Sequence, residues 1–454
     1  MSALYGLKPL GLSPIAALGL ACIALILSPV VFGQVQSESD KQTLTAQTSA
    51  HLETTVSLQD LLNEAEQNNP QIQAARQAWQ SAEQVPRQVS ALPDPQAVVQ
   101  EFTVGSPRPI AGYTNSNFAY IGFGISQDFP YPGKLKLKGE IAEQDAGVTE
   151  QQYESIRRSV LASIKAAYFQ LAYLSKTLGI LESDGQLLQQ VEKAADARYR
   201  SGMGNQQDVL QAQLEQTKLL SEITMHHLEV AKAQAGIKQL LNRPQTSPDI
   251  EPFEISETPL PQTFDELLAA ARKQNPQISG AEDIVDSQKL QVDLAHKDFR
   301  PDFNLQYMWQ RTDPEQYRAY YMLTFGVSLP IHRAKLHAEL AQAEADLIRS
   351  RSDLDAQSEQ VASELRVAYD TAQKTAELLK IYREGLDPQA RAAFQAGIAA
   401  YQNNRQDFQA VLTAFLDVLH LDEEYWQNLS ERETALARIE ELTGLSLREE
   451  ATQQ

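Results

Sequence analysis

The chain has 454 residues, of which 22% are charged and only 7% are aromatic. Its formal net charge of −20 argues against nucleic acid as a partner, because a phosphate backbone attracts Lys and Arg rather than carboxylates. Long tracts rich in Ala, Gln, Glu, Leu and Lys favour long helices and coiled coils over ordinary globular domains.

The N-terminus has the pattern of an export signal. A positively charged start precedes an apolar run over Leu10–Phe32, and polar sequence follows Gly33. We therefore predict a secretory signal peptide over residues 1–33, with cleavage after Gly33, and a flexible leader over 34–56. The single cysteine, Cys22, lies inside the apolar run and excludes a disulfide framework or a cysteine-based metal site. Its neighbours match a lipoprotein motif poorly, so lipidation of Cys22 is the less favoured alternative.

An internal duplication, with an offset of about 202 residues, is the most informative feature of the chain. Four motifs recur in the same order and at nearly the same spacing, which indicates one structural unit built twice. They are Asn69-Pro70-Gln71-Ile72 and Asn275-Pro276-Gln277-Ile278, Phe123-Gly124-Ile125-Ser126 and Phe325-Gly326-Val327-Ser328, Ala167-Tyr168 and Ala368-Tyr369, and Tyr199 and Tyr401. Each copy is predicted to run from a helix through two strands into a very long helical pair.

Prolines separate the two copies. Several fall in one acidic and polar stretch between them, and proline prevents a helix from continuing. The predicted organisation is a first structural repeat over 57–241 (strands about 95–130, long helices about 134–241), a Pro-rich linker over 242–263, a second repeat over 264–446 (strands about 302–330, long helices about 333–446) and a polar tail over 447–454.

The tracts that lack proline keep a helical period. Apolar residues within Val160–Leu181 alternate spacings of four and three, which is the heptad pattern of a coiled coil. A helix over Lys134–Tyr199 would be on the order of 100 Å long. The chain is predicted to turn back near Ser201–Gly204 and again near Gln402–Asn404, so that each long helix has an antiparallel neighbour. Pro388 is predicted to kink or interrupt the second long helix.

Strand segments lie between the helical tracts. Three of them alternate apolar with polar or small residues, and aromatic residues concentrate there as in the girdle of a membrane barrel. A fourth, near 96–105, is less regular, with Val98, Phe102 and Val104 predicted on one side and Gln100 among them. The residues predicted to face lipid are Ile121, Phe123, Ile125, Leu305, Tyr307, Trp309, Leu323, Phe325 and Val327.

The same alternation would also suit a two-hairpin sheet packed on a soluble core. Four strands cannot close a barrel with a usable interior, and open edges cannot face lipid because their backbone groups would lack partners. Either the sheet is soluble, or several chains each donate four strands to one barrel. Export and the absence of a substantial globular core favour the second, and a trimer would supply twelve strands, enough to leave a lumen. The predicted fold class is mainly α with a small antiparallel β part.

Taken together, these features resemble the TolC family of outer-membrane efflux channels over nearly all of the mature chain. The resemblance rests on the twin Asn-Pro motifs, the twin Phe-Gly strand ends, the two helical hairpins and the turn segments after Tyr199 and Tyr401. It implies a homotrimer with a 12-stranded β-barrel in the Gram-negative outer membrane and a long α-helical barrel in the periplasm. It also implies a closed periplasmic tip that opens on docking to a periplasmic adaptor (membrane fusion) protein and an inner-membrane pump of the RND type. The segment Gln127–Lys134 is similar to the strand-to-helix junction of the heavy-metal efflux branch.

The resemblance places a gate at the periplasmic ends of the inner helices, where carboxylates form rings in some members. The matching residues here are Tyr199, Gly202, Asp208, Tyr401 and Asp407. Asp208 lies nine residues after its tyrosine but Asp407 only six, and Ala410 occupies the ninth position in the second copy. The alternative role for each aspartate is a helix N-cap or a first-turn charge that the helix dipole favours.

The sequence carries no nucleophile elbow, phosphate-binding loop or zinc signature. His332 and His337 are five residues apart, not the four that place two ligands on one helical face, and His226 falls on a heptad seam where packing is expected. We predict no enzymatic activity, no cofactor and no protein-bound metal.

The function predicted from the sequence is a passive outer-membrane exit duct of a tripartite efflux system for small solutes, such as drugs or heavy-metal cations. One alternative is an exported coiled-coil scaffold or periplasmic adaptor with a small soluble sheet. Another is the exit channel of a type I protein secretion system.

Overall fold

A computed structural model describes residues 56–102, 120–312, 318–403 and 405–447. The predicted signal peptide with Gly33 and Cys22, nearly all of the leader, and Val104 and Asn404 lie outside the described residues, as does the tail beyond Leu447. Among the helices of the described part, none is both long enough and apolar enough to cross a membrane.

The elements follow the order that the duplication predicts, with short helices, two strands and a long helical hairpin in each copy. They are α1 (Leu58–Asn68), α2 (Pro70–Ala82), α3 (Val85–Val89), β1 (Gln96–Phe102), β2 (Tyr120–Phe129), α4 (Lys134–Arg200), α5 (Gln206–Leu240), α6 (Phe264–Gln274), α7 (Pro276–Lys297), β3 (Asp302–Thr312), β4 (Arg318–Ser328), α8 (Arg333–Ile381), a π-helical turn (Tyr382–Leu386), α9 (Asp387–Gln402) and α10 (Phe408–Thr443).

The two copies differ before their strands. The second copy has one 22-residue helix, α7, where the first has α2 followed by the short α3. Pro86 accounts for the split, because proline removes a backbone donor and is tolerated only in the first turn of a helix; here it lies in the first turn of α3.

The twin Asn-Pro motifs make the same contacts in both copies. Asn69 accepts hydrogen bonds from two backbone N–H groups of α2 at 2.8 and 3.2 Å, and its amide donates to the carbonyl of Leu240 at 2.7 Å. Asn275 accepts from two N–H groups of α7 at 2.9 and 3.3 Å and donates to the carbonyl of Leu442 at 3.0 Å. Each asparagine therefore caps one helix and ties it to the C-terminal end of the hairpin in its own copy.

Apolar residues on the predicted seams form three clusters along the hairpins. One joins α1 and α2 to the middle of α4 and the end of α5, and a second joins α6 and α7 to α8 and α10. The third lies between the segments of α4, α5, α9 and α10 that are nearest the two turn-backs, where Leu181, Leu188, Phe394 and Phe415 are buried. The heptad pattern predicted for α4 is confirmed, since Val160, Ile164, Leu171, Leu174 and Leu181 are all buried.

The linker over 242–263 runs as turns and extended chain but is tied to the hairpins. The side chain of Gln234 exchanges two hydrogen bonds with the backbone of Ile250, at 2.8 and 3.0 Å. Glu433, which is completely buried, accepts from the backbone N–H and the hydroxyl of Thr258 at 2.9 and 2.8 Å. These contacts hold the linker against both copies.

Two predicted boundaries need correction. Val56, assigned to the flexible leader, forms a β-bridge with Pro252. Leu447, assigned to the polar tail, is 2% exposed and packs in the cluster around α10. Each residue adds apolar surface to the core, which explains why it is held.

The four strands form one antiparallel sheet in the order β1-β2-β3-β4. In the described residues β1 and β4 are edge strands, each with one neighbour. The prediction for β1 is confirmed over its described residues: Val98, Gln100 and Phe102 lie on one side and pair with Gly124, Gly122 and Tyr120, whereas Val99 pairs with Phe123 on the apolar face.

The second long helix is interrupted where the sequence predicts. The π-helical turn lies directly before Asp387 and Pro388, which begin α9. Such a turn breaks the regular hydrogen-bond ladder and often marks a functional position in a helix. The other hairpin has no counterpart, since α4 runs for 67 residues without a break.

Candidate functional site

Two parts of the molecule are candidates for a functional site. They are the sheet and the end of the hairpins where the chain turns back. On the sheet, the register places all nine residues that were predicted to face lipid on one side. Phe123, Ile125, Leu323 and Phe325 are 54%, 57%, 70% and 65% exposed. A continuous apolar surface of this kind is uncommon on a soluble monomer and indicates a contact with lipid or protein.

The opposite face of the sheet is polar and has small residues. A Cβ added at Gly124 would lie 2.5 Å from the carbonyl oxygen of Tyr307, so the close approach of β2 and β3 requires glycine there. Asn304 donates to the hydroxyl of Ser126 at 2.9 Å and to the carboxylate of Asp128 at 2.7 Å. One face is therefore fitted to an apolar medium and the other to water.

The junction from β2 into α4 is fixed by buried charge. Lys134, 6% exposed, lies 3.1 Å from the carboxylate of Asp298 and 3.0 Å from that of Asp302. Asp302 also accepts the backbone N–H of Tyr131 at 2.7 Å. Gly133 precedes the helix with φ +91°, a left-handed conformation that glycine adopts without strain. These contacts set the direction in which the long helix leaves the sheet.

The first turn-back is closed by a Schellman motif. The N–H of Met203 bonds to the carbonyl of Arg198 at 2.9 Å, and the N–H of Gly202 bonds to that of Tyr199 at 3.0 Å. Gly202 has φ +71°, so a residue with a Cβ would be strained at this position. The predicted importance of Gly202 thus has a local structural reason.

The tyrosines of the two copies occupy different environments. Tyr199 is 44% exposed, whereas Tyr401 is 3% exposed and packs edge-on against Phe408. Arg198 reaches across from α4: its guanidinium carbon lies 4.2 Å from the centre of the Tyr401 ring, and its Nη1 donates to the Tyr401 carbonyl at 2.6 Å.

Asp208 completes this arrangement from α5. The Tyr401 hydroxyl donates to the Asp208 carboxylate at 3.4 Å, a long hydrogen bond. Burial, followed by the nearby charge of Asp208, raises the pKa of Tyr401, so the phenol stays protonated and remains a donor. We call Arg198, Tyr401 and Asp208 the tip contact; it joins α4, α5 and α9 at the turn end.

The two aspartates have the unequal positions that their spacing predicts. Asp407 is the N-cap of α10 and accepts the backbone N–H of Ala410 at 2.9 Å, which confirms the capping role for this residue. Asp208 lies inside the first turn of α5, and its side chain turns to Tyr401 rather than to a backbone N–H. The capping role is therefore wrong for Asp208, although the first-turn position is confirmed.

Both turns border one polar cleft of about 710 Å³. Its charged lining combines two arginines with two aspartates: Arg198, Arg405, Asp208 and Asp407. Sequence reasoning missed both arginines, because a lone arginine near a turn looks like any solvated charge. Tyr401, the residue that Arg198 contacts, is 203 residues away from it in the chain.

Histidine behaves as the sequence predicts at His226, which is 7% exposed and lies 3.7 Å from Glu423. Among the residues that the structure describes, no three His, Asp or Glu side chains lie close enough together to hold a metal ion.

Comparison with known proteins agrees with this geometry. The model of the family described as Outer membrane efflux protein matches residues 61–243 and 267–445, which are the two copies without the linker. A protein of Shigella flexneri that carries the name multidrug resistance outer membrane protein MdtQ is 24% identical over 386 residues, 76% of this chain and 77% of its own length. Two solved channels share the fold: CusC (TM-score 0.74, 19% identity, 86% of this chain and 92% of its own) and VceC of Vibrio cholerae (0.73, 18%, 86% and 96%).

Proposed function

The chain belongs to the outer membrane efflux protein family, and from this premise we propose that it is the passive exit duct of an efflux system for small solutes. It is an outer-membrane protein that extends into the periplasm. The observation that carries the proposal is the two-faced sheet, with nine apolar residues on one side and glycine, asparagine and serine on the other. Lipid would cover the first face and a water-filled passage would lie along the second.

The working unit in this proposal is a homotrimer. In the part of the chain that the structure describes, β1 and β4 each have only one neighbour, and twelve strands from three chains would pair every edge and enclose a lumen. The helices also have surface to cover. An exposed apolar stripe runs along α5, and its residues are Leu210, Leu214, Leu220, Met225 and Leu228. A neighbouring copy of the hairpins would bury it.

The proposed gate is the tip contact together with the two aspartates. While Tyr401 holds Asp208 and Arg198 holds Tyr401, the turn ends of the helices stay together. Threefold repetition would place six carboxylates, from Asp208 and Asp407, around the entrance and attract cations. The partners that would open it are a periplasmic adaptor protein and an inner-membrane pump of the RND type, with the polar cleft at the turn end facing the adaptor.

The exported solute is proposed to be a drug or a heavy-metal cation. The name of the Shigella relative refers to multidrug resistance and supports the first. The second rests on the segment Gln127–Lys134, whose resemblance is to the heavy-metal branch. Growth of a deletion strain and of a complemented strain on drugs and on metal salts would separate them, since only the true solute should inhibit the deletion strain more strongly.

Reconstitution in planar bilayers tests the duct directly. We expect discrete conductance steps, and migration as a trimer that heat converts to monomers in a gel. A monomer without conductance would instead support the scaffold or adaptor alternative. Loss of secretion of one protein substrate on deletion, with normal drug and metal tolerance, would support the type I secretion alternative.

The gate has its own test. In the double variant Asp208→Asn, Asp407→Asn, cation selectivity and conductance should both change, because the carboxylate ring is lost while asparagine keeps the cap of α10. The single variant Asp196→Asn on α4 is the control, because Asp196 forms an ion pair with Arg200 and takes no part in the tip contact. Unchanged selectivity in the double variant would refute the ring.

A further inference from the structure

A second charged group lies beside the π-helical turn, on helices whose movement the tip contact would restrain. Arg391 of α9 binds the carboxylate of Asp422 on α10 with one nitrogen, Nη2, at 2.5 and 2.6 Å, and Nε donates to Asp387 at 2.5 Å. Asp184 of α4 faces the same pair, and one of its oxygens, Oδ2, is shut off from solvent without a hydrogen-bond partner.

The charges of this group do not balance. Two carboxylates bond the one guanidinium and a third, Asp184, acts on the pair through its charge, so the group has a net charge of −1 when Asp184 is protonated and −2 when it is ionised. The groups that act on Asp184 are Asp422 and Arg391, while on the α5 side its neighbour Gly185 meets the apolar Leu219. The extra negative charge therefore acts between α4 and the pair α9–α10.

We propose that Asp184, Asp387, Arg391 and Asp422 form a pH-responsive latch that holds α9 and α10 against α4 while Asp184 is protonated and releases them when it ionises. The π-helical turn lies directly before Asp387, so α9 can shift at a point where the helical ladder is already interrupted. The latch itself stands on these contacts. Its use in opening the gate rests on the proposed function.

The direction of the pH effect follows from linkage. Burial, with a contribution from Asp422, raises the pKa of Asp184 from 3.8 to about 6. A carboxyl whose pKa is raised in the folded state stabilises that state fully at low pH, and this contribution is lost as the pH rises through the folded value. The hairpins are therefore held together most firmly below pH 3.8, the ordinary carboxyl value, loosen progressively as the pH rises to about 6, and stay loosened above it.

Hydrogen exchange of the full-length protein, followed by mass spectrometry, tests the latch. With intrinsic rates corrected for pH, we expect peptides from the π-helical turn and α9 to exchange about tenfold faster at pH 7.5 than at pH 5, because about one pH unit of the loss falls between pH 5 and the folded pKa of about 6. Asp184→Asn, which mimics the protonated carboxyl, should remain slow at both pH values. Asp184→Glu should restore the pH dependence.

Glu182→Gln is the matched control. Glu182 lies on the same helix, but its side chain is 57% exposed and faces His227, so its removal should leave the exchange profile as in the natural chain. The proposal is overturned if exchange in the natural chain does not depend on pH, a result for which no variant has to fold. It is also overturned if exchange in Asp184→Asn still depends on pH. Circular dichroism establishes that each variant is folded.

The result is separable from the proposed function, because exchange does not require a pore. A chain with the exchange switch but without conductance in bilayers would keep the latch and refute the duct. A conducting trimer with exchange that does not depend on pH would do the opposite.

Discussion

The two hairpins have the same frame but different mechanics. The first is an unbroken 67-residue helix followed by a 35-residue helix, whereas the second is divided by a π-helical turn into α8 and α9 before it returns as α10. The frame is common because both copies use the same asparagine caps and the same seam. The second copy alone combines a break in the helix, a buried tip tyrosine and the arginine of the latch.

This difference suggests a division of labour between the copies. The continuous helix α4 supplies fixed partners, Arg198 at the tip and Asp184 at the latch, and the broken second hairpin supplies the groups that meet them, Tyr401 and Arg391. Moving the second hairpin would then break contacts to the first without unfolding either one.

The shared frame is tested by Asn69→Ala and Asn275→Ala. Each removes an N-cap and leaves a carbonyl without its amide donor, so each should lower the free energy of unfolding by about 2–4 kcal/mol. Equal losses of unfolding free energy, measured by denaturant titration, would confirm that the two motifs have the same structural role. Asn403→Ala, which removes only an exposed bond to the carbonyl of Ala399, should cost far less. A large difference between the two main variants would break the comparison.

The asymmetry of the tip is tested by Tyr401→Phe against Tyr199→Phe. The first keeps the ring on Phe408 and under Arg198 but loses the hydroxyl that meets Asp208, which should cost about 1 kcal/mol and increase the open fraction in bilayers. The second changes an exposed side chain and should have no measurable effect. Equal conductance in both variants would show that the tip contact does not hold the gate.

The two aspartates should differ in a third comparison. Asp407→Ala removes the cap of α10 and should lower the free energy of unfolding by about 1 kcal/mol, while Asp407→Asn should preserve it. Asp208 caps no backbone group but accepts from Tyr401, so Asp208→Ala should increase the open fraction in bilayers as Tyr401→Phe does, whereas Asp407→Ala should not. An increased open fraction in Asp407→Ala but not in Asp208→Ala would contradict their assigned roles.

Much of the fold could be predicted from the sequence, because the spacing of apolar residues and the positions of the prolines determine where the helices run and end. Heptad spacing placed α4, and Pro388 placed the break in the second hairpin, since both features act locally. The face of the sheet on which Val98 and Phe102 lie could not be predicted, because Gln96, Gln100 and Glu101 obscure a short alternation and the pairing with β2 decides the face. The tip contact could not be predicted: Tyr401 and Asp208 are 193 residues apart, and only the folded arrangement of the turn ends brings them together.

The smallest expected effect separates a hinge from a passive irregularity. A Cβ at Gly179 in α4 or at Gly385 in the π-helical turn would meet no other atom within 4 Å. Alanine should therefore stabilise either helix by about 0.5–1 kcal/mol. If the π-helical turn is the hinge, Gly385→Ala should also slow amide exchange around residue 385, by about fivefold for each 1 kcal/mol of stabilisation. Gly179→Ala should not slow exchange around residue 179. Because the two glycines differ mainly in whether their helix is regular, equal local exchange in the two variants would show that the break in the second hairpin is not where it moves.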